Sequence, residues 1–195
     1  MSLLKKTFLF ICFFSILSAC TKREPEFSTV LDDPKPLSDF SLNRENGASF
    51  NLESLKDSWS VLFFGYTHCP DVCPLTIYQL AEANKKLAGT IDNPPRIILV
   101  SVDPDRDSNE VLEKYVNAFG ENVIGITGNI EELKKLTDQL GIFFSANKHE
   151  GENYSVNHSA AVIVINEEAQ FHAVFSAPHS IEQFVSDLPI IIKGS

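Results

Sequence analysis

The sequence predicts an α/β domain: a central mixed sheet with an N-terminal β-hairpin and helices on both faces. Three observations carry this. Short apolar runs such as Ser60–Tyr66 and Arg96–Val102 have the length of buried strands. Stretches of helical periodicity alternate with them, and strands separated by helices need crossover connections. Two apolar runs near the C-terminus are joined only by Asn166-Glu167-Glu168-Ala169, which predicts an antiparallel hairpin at the sheet edge.

Taken in order, Phe40–Leu42 and Ala48–Leu52 flank Asn46-Gly47, a hairpin signal. Ser60–Tyr66 is a strand, and the turn Thr67-His68-Cys69-Pro70-Asp71-Val72-Cys73-Pro74 follows it. Leu75–Leu87 has helical spacing and ends before Asn93-Pro94-Pro95. Arg96–Val102 is a strand, and Ser108–Phe119 is a helix that Ser108 caps ahead of an acidic first turn. Val123–Thr127 is a short strand, and Asn129–Leu140 is a helix stopped by Gly141. Ala160–Ile165 and Gln170–Phe175 form the closing hairpin, and Ser180–Leu188 is a last helix ending near Pro189. This order is a thioredoxin-like plan with an added N-terminal hairpin and an inserted βα unit.

The first residues read as an address. Met1–Lys6 is basic, and Thr7–Leu17 is almost wholly apolar but too short to span a bilayer, which takes about 20 residues. Leu17-Ser18-Ala19-Cys20 then resembles the lipobox of bacterial lipoproteins, in which the cysteine is lipidated. An ordinary signal peptide or uncleaved anchor is the alternative, and either places the domain outside the cytoplasm at a membrane surface. The expected organisation is a signal peptide over 1–19, a flexible tether from lipidated Cys20 over 20–36, and the folded domain over 37–195. The tether rests on Pro25, Pro34, Pro36 and mixed charge without apolar periodicity.

The formal net charge of −10 argues against nucleic acid, whose phosphates demand Lys and Arg, and against a polybasic membrane patch. Of four cysteines, Cys12 leaves with the signal and Cys20 takes the lipid, so Cys69 and Cys73 remain. A bridge across three residues restricts the unfolded chain weakly, so redox or metal chemistry is the better use of the pair. Their place at a strand-to-helix junction is expected to lower thiol pKa through the helix N-terminus. If the first turn is helical, spacing of four puts both sulfurs on one helix face, within reach of a disulfide or of one metal ion.

Two thiolates underfill a metal site. Among His68, His149, His158, His172 and His179, His158 stands out because it precedes the strand Ala160–Ile165. In a thioredoxin fold that position faces the cysteine turn and holds a cis-proline; this chain has Asn157-His158 there. His68 is read as either tuning the thiols or solvated, and His172 and His179 as structural or exposed. Thiolates and imidazole suit copper, though the donor set alone leaves zinc open.

FFGYTHCPDVCP, SVDPDRD, VIGITGN and VNHSAAVIVI, in this order, closely resemble the Sco/SenC family of copper-binding assembly factors. The resemblance covers about Phe40–Leu188. It implies copper, as Cu(I), Cu(II) or both, held by Cys69, Cys73 and His158. It also implies delivery to the dinuclear copper centre of cytochrome c oxidase from the periplasmic face. The implied partners are the copper-centre subunit, other copper chaperones and thiol reductants. Asp71 matches the family as an outer-sphere or docking group, whereas Asn157 stands where the family usually has Asp. The alternative is a thiol-disulfide oxidoreductase in which Cys69 and Cys73 are the redox pair. A peroxidase would need an anion-stabilising pocket around one thiolate, and the sequence identifies none.

Overall fold

The computed structural model describes residues 23–147 and 154–194. The signal segment, Cys12, Cys20 and His149 lie outside the described residues. Ten strands and four helices follow in chain order: β1 Ser28–Pro36, β2 Ser41–Arg44, β3 Ser49–Asn51, β4 Ser60–Gly65, α1 Val72–Leu87, β5 Arg96–Ser101, α2 Asn109–Asn117, β6 Val123–Thr127, α3 Ile130–Leu140, β7 Phe144–Ala146, β8 Val156–His158, β9 Val162–Ile165, β10 Gln170–Phe175 and α4 Ile181–Gly194. Eight strands form one sheet in the order β1-β10-β9-β4-β5-β6-β2-β3, and β7 pairs with β8 in a separate two-stranded sheet.

The centre of the sheet is parallel, β4 against β5 and β5 against β6; the flanks are antiparallel. All six residues of β4 are buried. Side chains alternate between the two faces of a strand, so both faces of β4 are covered. α1 packs on α4, while α2 lies over β6 and α3 reaches β2. The mixed α/β plan is therefore the expected one. Local signals set the helix starts: the Ser108 and Asn129 side chains accept from Val111 N and Glu132 N, and Gly141 ends α3 at a φ of 66°.

Three expectations need correction. The tether assigned to 20–36 is ordered over Ser28–Pro36 as β1, an edge strand antiparallel to β10. Its prolines and charges belong to an edge that must not recruit further strands. Asp187 on α4 docks its start: the fully buried carboxylate accepts from Glu26 N, Phe27 N, Ser28 N and Ser28 Oγ at 2.7–3.2 Å. Secondly, α4 continues through Pro189 to Gly194. Leu188 and Ile191 are buried, at 1% and 3% exposure, and their packing offsets the roughly 3 kcal/mol that a helical proline costs. Thirdly, His158 does not directly precede a strand of the main sheet; it ends β8, a strand too short for periodicity to reveal.

Candidate metal centre

The cysteine turn forms where β4 runs out. Gly65 ends the strand, and a Cβ there would stand 2.9 Å from Cys73 Sγ and 3.1 Å from the Phe63 ring. Glycine is required by this close approach. The chain then tightens through Cys69 N donating to Tyr66 O at 3.2 Å. The helix starts earlier than its apolar spacing indicates, at Val72, so Cys73 lies in its first turn with Pro74 beside it. Proline is tolerated there because the first-turn N–H groups have no intrahelical partner. Asp71 occupies the N-cap but makes no side-chain cap bond, and it is exposed.

Cys69 is half-buried and Cys73 fully buried, and both are free thiols. Cys73 N approaches Cys69 Sγ at 3.5 Å, and Cys73 Sγ lies 3.4 Å from His158 Nε2. The three donor atoms all fall within 4.8 Å of one another. Tetrahedral ligands at about 2.0–2.3 Å from an ion stand roughly 3.3–3.8 Å apart, so a small contraction closes this set around one ion. His158 Nδ1 lies 3.1 Å from the Ser159 carbonyl. A carbonyl only accepts, so Nδ1 carries the proton and Nε2 offers its lone pair to the cysteines. Phe63 and Tyr66 flank the imidazole with rings nearly perpendicular to it, each at 6.0 Å between centroids. Burial holds His158 below its usual pKa, only partly countered by Ser159, which keeps it neutral and able to ligate.

The expected lowering of thiol pKa does not hold for Cys73. Burial pushes its thiol strongly upward, with the hydrogen bond to Cys69 adding to the rise. The magnitudes explain the outcome. A helix terminus contributes about 0.3–1 kcal/mol, less than one pKa unit, whereas full burial can shift a group by about 3–5 units. Without metal Cys73 is therefore a thiol, and a bound cation must displace its proton.

A second set, His68, Asp103 and Asp107, also converges within 4.8 Å. Its carboxylates are already occupied. Asp107, with no exposed surface, accepts from Thr67 N at 2.9 Å, Thr67 Oγ1 at 2.6 Å and Ser101 Oγ at 2.6 Å. Asp103 accepts from Tyr154 Oη and Arg106 Nε, both at 2.5 Å. His68 is exposed and 3.7 Å from Asp107. The set is a hydrogen-bonded brace for the cysteine turn. These acids lie in SVDPDRD, but their contacts with Thr67 and Tyr154 cross 40 and 51 residues.

His172 and His179 are engaged elsewhere. His172 packs against the Trp59 ring at 5.1 Å, and His179 Nε2 donates to Ala160 O at 2.6 Å. Asn157 is exposed on β8, one residue out of phase with His158, so its side chain faces solvent. A cavity of about 1080 Å³ opens at the opposite end of the parallel strands, beside Trp59, Arg96 and Val123, and shares no residue with the cysteine site.

The chain matches the family model SCO1/SenC over residues 30–193. It is 30% identical over 182 residues to an SCO2-like protein of Rickettsia prowazekii (strain Madrid E), covering 88% of each chain. It is 32% identical over 145 residues to the mitochondrial protein SCO1 homolog 1 of Arabidopsis thaliana, covering 73% of this chain but 43% of that longer protein. Among solved structures, Arabidopsis thaliana ScoI with copper bound superposes with a TM-score of 0.77 at 29% identity, covering 81% of this chain and 98% of that one. A match spanning β1 to α4, cysteine turn and histidine strand included, makes the chain a member of the SCO1/SenC family.

Proposed function

We propose that the chain is a metallochaperone that holds one copper ion between Cys69, Cys73 and His158 and passes it to the dinuclear copper centre of cytochrome c oxidase. The observation that carries this is the convergence of two sulfurs and one imidazole nitrogen, from segments 85 residues apart, within 4.8 Å. Soft thiolates favour Cu(I), and a neutral imidazole suits both oxidation states. Three donors leave coordination positions open, which suits a cargo that must leave by ligand exchange. The copper-bound relative and the Sco family's description as cytochrome c oxidase assembly proteins support cargo and destination. Asp71, exposed at the rim, is a docking group in this scheme.

The protein works outside the cytoplasm, anchored through a lipid on Cys20 and facing the periplasm. The apolar run Thr7–Leu17 followed by Leu17-Ser18-Ala19-Cys20 supports this anchor; among the described residues no helix is long and apolar enough to cross a membrane. From Cys20 to the start of β1 at Ser28 the chain can reach at most about 30 Å, which keeps the copper domain close to the bilayer.

A second use of the same pair is thiol-disulfide exchange, favoured by the half-exposed Cys69 beside the buried Cys73. There the two thiols give two electrons and two protons to a partner disulfide, which leaves as two thiols while Cys69–Cys73 closes. His158→Ala separates the two functions. For a chaperone, the folded variant loses stoichiometric Cu(II) and fails to restore oxidase assembly, yet still reduces a model disulfide. Normal oxidase levels with demonstrably copper-free variant would establish the oxidoreductase instead.

A further inference from the structure

His158 sits on weak local structure. Strand β8 has three residues and, among the described residues, pairs only with the three residues of β7. A lone two-stranded hairpin is marginally stable in water, so its position must be fixed by tertiary contacts. Ser159 N donates to Phe143 O at 2.9 Å beside it, and four residues before His158 stands Tyr154, which is 8% exposed. Its hydroxyl donates to Asp103 Oδ1 at 2.5 Å, and Arg106 Cζ lies 3.6 Å above its ring. Arg106 Nε in turn donates to Asp103 Oδ2 at 2.5 Å, so one buried carboxylate grips both. Arg106 also stands 5.6 Å from the ring of Tyr66, one of the two rings that flank His158. Burial, with the bond to Asp103 next, pushes the Tyr154 pKa up to about 12, so the phenol keeps the proton it donates.

The same loop holds the other half of the site. Asp107 fixes Thr67, two residues before Cys69, while Asp103 fixes Tyr154, four residues before His158. The segment after β5 thus aligns cysteine turn and histidine strand from one rigid base. We propose that Tyr154, gripped by Asp103 and Arg106, is a positioning residue that presents His158 to the two cysteines and thereby sets the affinity of the site for Cu(II). The proposal rests on the copper assignment of Cys69, Cys73 and His158. Cu(II) is the sensitive form because it needs the imidazole, whereas two thiolates already suit Cu(I).

Tyr154→Phe keeps the ring over which Arg106 stacks and removes only the hydroxyl. Outer partners of metal ligands typically contribute about 10–100-fold in affinity, so Cu(II) binding should weaken about tenfold or more. The nitrogen splitting in its electron paramagnetic resonance spectrum should change as well. Cu(I) affinity should stay within about threefold. In a His158→Ala background, where the two thiolates remain, Tyr154→Phe should leave the residual Cu(I) affinity unchanged, whereas a generally structural tyrosine would lower it. The metal-free protein gives an independent readout: nuclear Overhauser contacts between the His158 imidazole and the Tyr66 ring should weaken in Tyr154→Phe. Asp103→Asn, of similar volume, should reproduce both effects. Wild-type contacts retained in both variants would overturn the positioning role even if the wild type bound no copper. Equal Cu(II) affinities of Tyr154→Phe and wild type would overturn it as well. A wild type without copper binding but with loosened contacts in the variants would uphold the clamp and remove the copper assignment.

Discussion

At the residue scale the site is governed by desolvation. Cys73 and His158 are both driven toward their neutral forms by burial, and the two neutral groups meet at 3.4 Å as a thiol facing an imidazole lone pair. Such a site releases a proton when it takes a metal ion, which couples loading to pH. Its dimensions depend on Gly65. A methyl group there would press on Cys73 Sγ at 2.9 Å and on Phe63 at 3.1 Å inside a filled core. Gly65→Ala is expected to destabilise the protein by about 1–3 kcal/mol, the usual effect of overpacking, and to weaken metal binding by displacing the sulfur. Urea midpoints and copper competition check the two effects, and a variant matching the wild type in both would show that the thiol has room to move.

At the element scale, β1 is held at one end by a single carboxylate. Asp187 gathers three backbone N–H groups and the Ser28 hydroxyl, anchoring the strand that leads toward the N-terminal segment. Asp187→Ala leaves those donors to water and is expected to lower stability by at least about 1.5–3 kcal/mol, the contribution of one hydrogen bond to a charged acceptor. The effect should be local first. Amide exchange at Thr29 and Val30 should accelerate strongly, while Ile98 and Leu99 at the sheet centre follow global stability alone. Unchanged exchange in β1 would mean that its pairing with β10 suffices. The contrast with β4 is physical. A strand buried on both faces is fixed by its own apolar side chains, whereas an exposed edge strand depends on contacts supplied by another element.

At the scale of the whole molecule, three half-buried or buried histidines share one bias. His158, His172 and His179 are each held below the ordinary value of 6.5 by burial, with Ser159, Glu168 and Ala160 opposing it in turn. The unfolded chain therefore binds protons near pH 6.5 that the folded chain does not. Stability of the metal-free domain should fall as pH drops from about 6.5 toward the lower folded values, and these histidines should contribute nothing to its pH dependence above about pH 7. Denaturant midpoints at pH 7.5 and 5.5 measure this directly, and a higher midpoint at 5.5 would contradict it. Replacing His179, which lies outside the copper site, with Gln should flatten the slope. At the proposed copper site the same acidification should weaken metal binding, because a protonated His158 cannot ligate.

The sequence by itself determined the layered α/β plan, because buried strands and amphipathic helices imprint their periods on the chain. It also singled out the cysteine pair and His158, because Cys69 and Cys73 are neighbours and the strand after His158 is strongly apolar; among the described residues these three donors converge. Only the tertiary structure decided what surrounds them. β1 reads as a linker because prolines and charges serve a solvated edge as well as a tether. β7 and β8 are too short to carry a period, and they form by pairing with each other. The sign of the Cys73 shift depends on how many core atoms exclude water from its sulfur, a quantity set by Gly65 and the helix packing above it rather than by its place at a helix start. The brace of Asp103, Asp107, Thr67 and Tyr154 joins residues 40 and 51 positions apart. A hydrogen bond between distant segments leaves no period in the sequence, so folding alone reveals it.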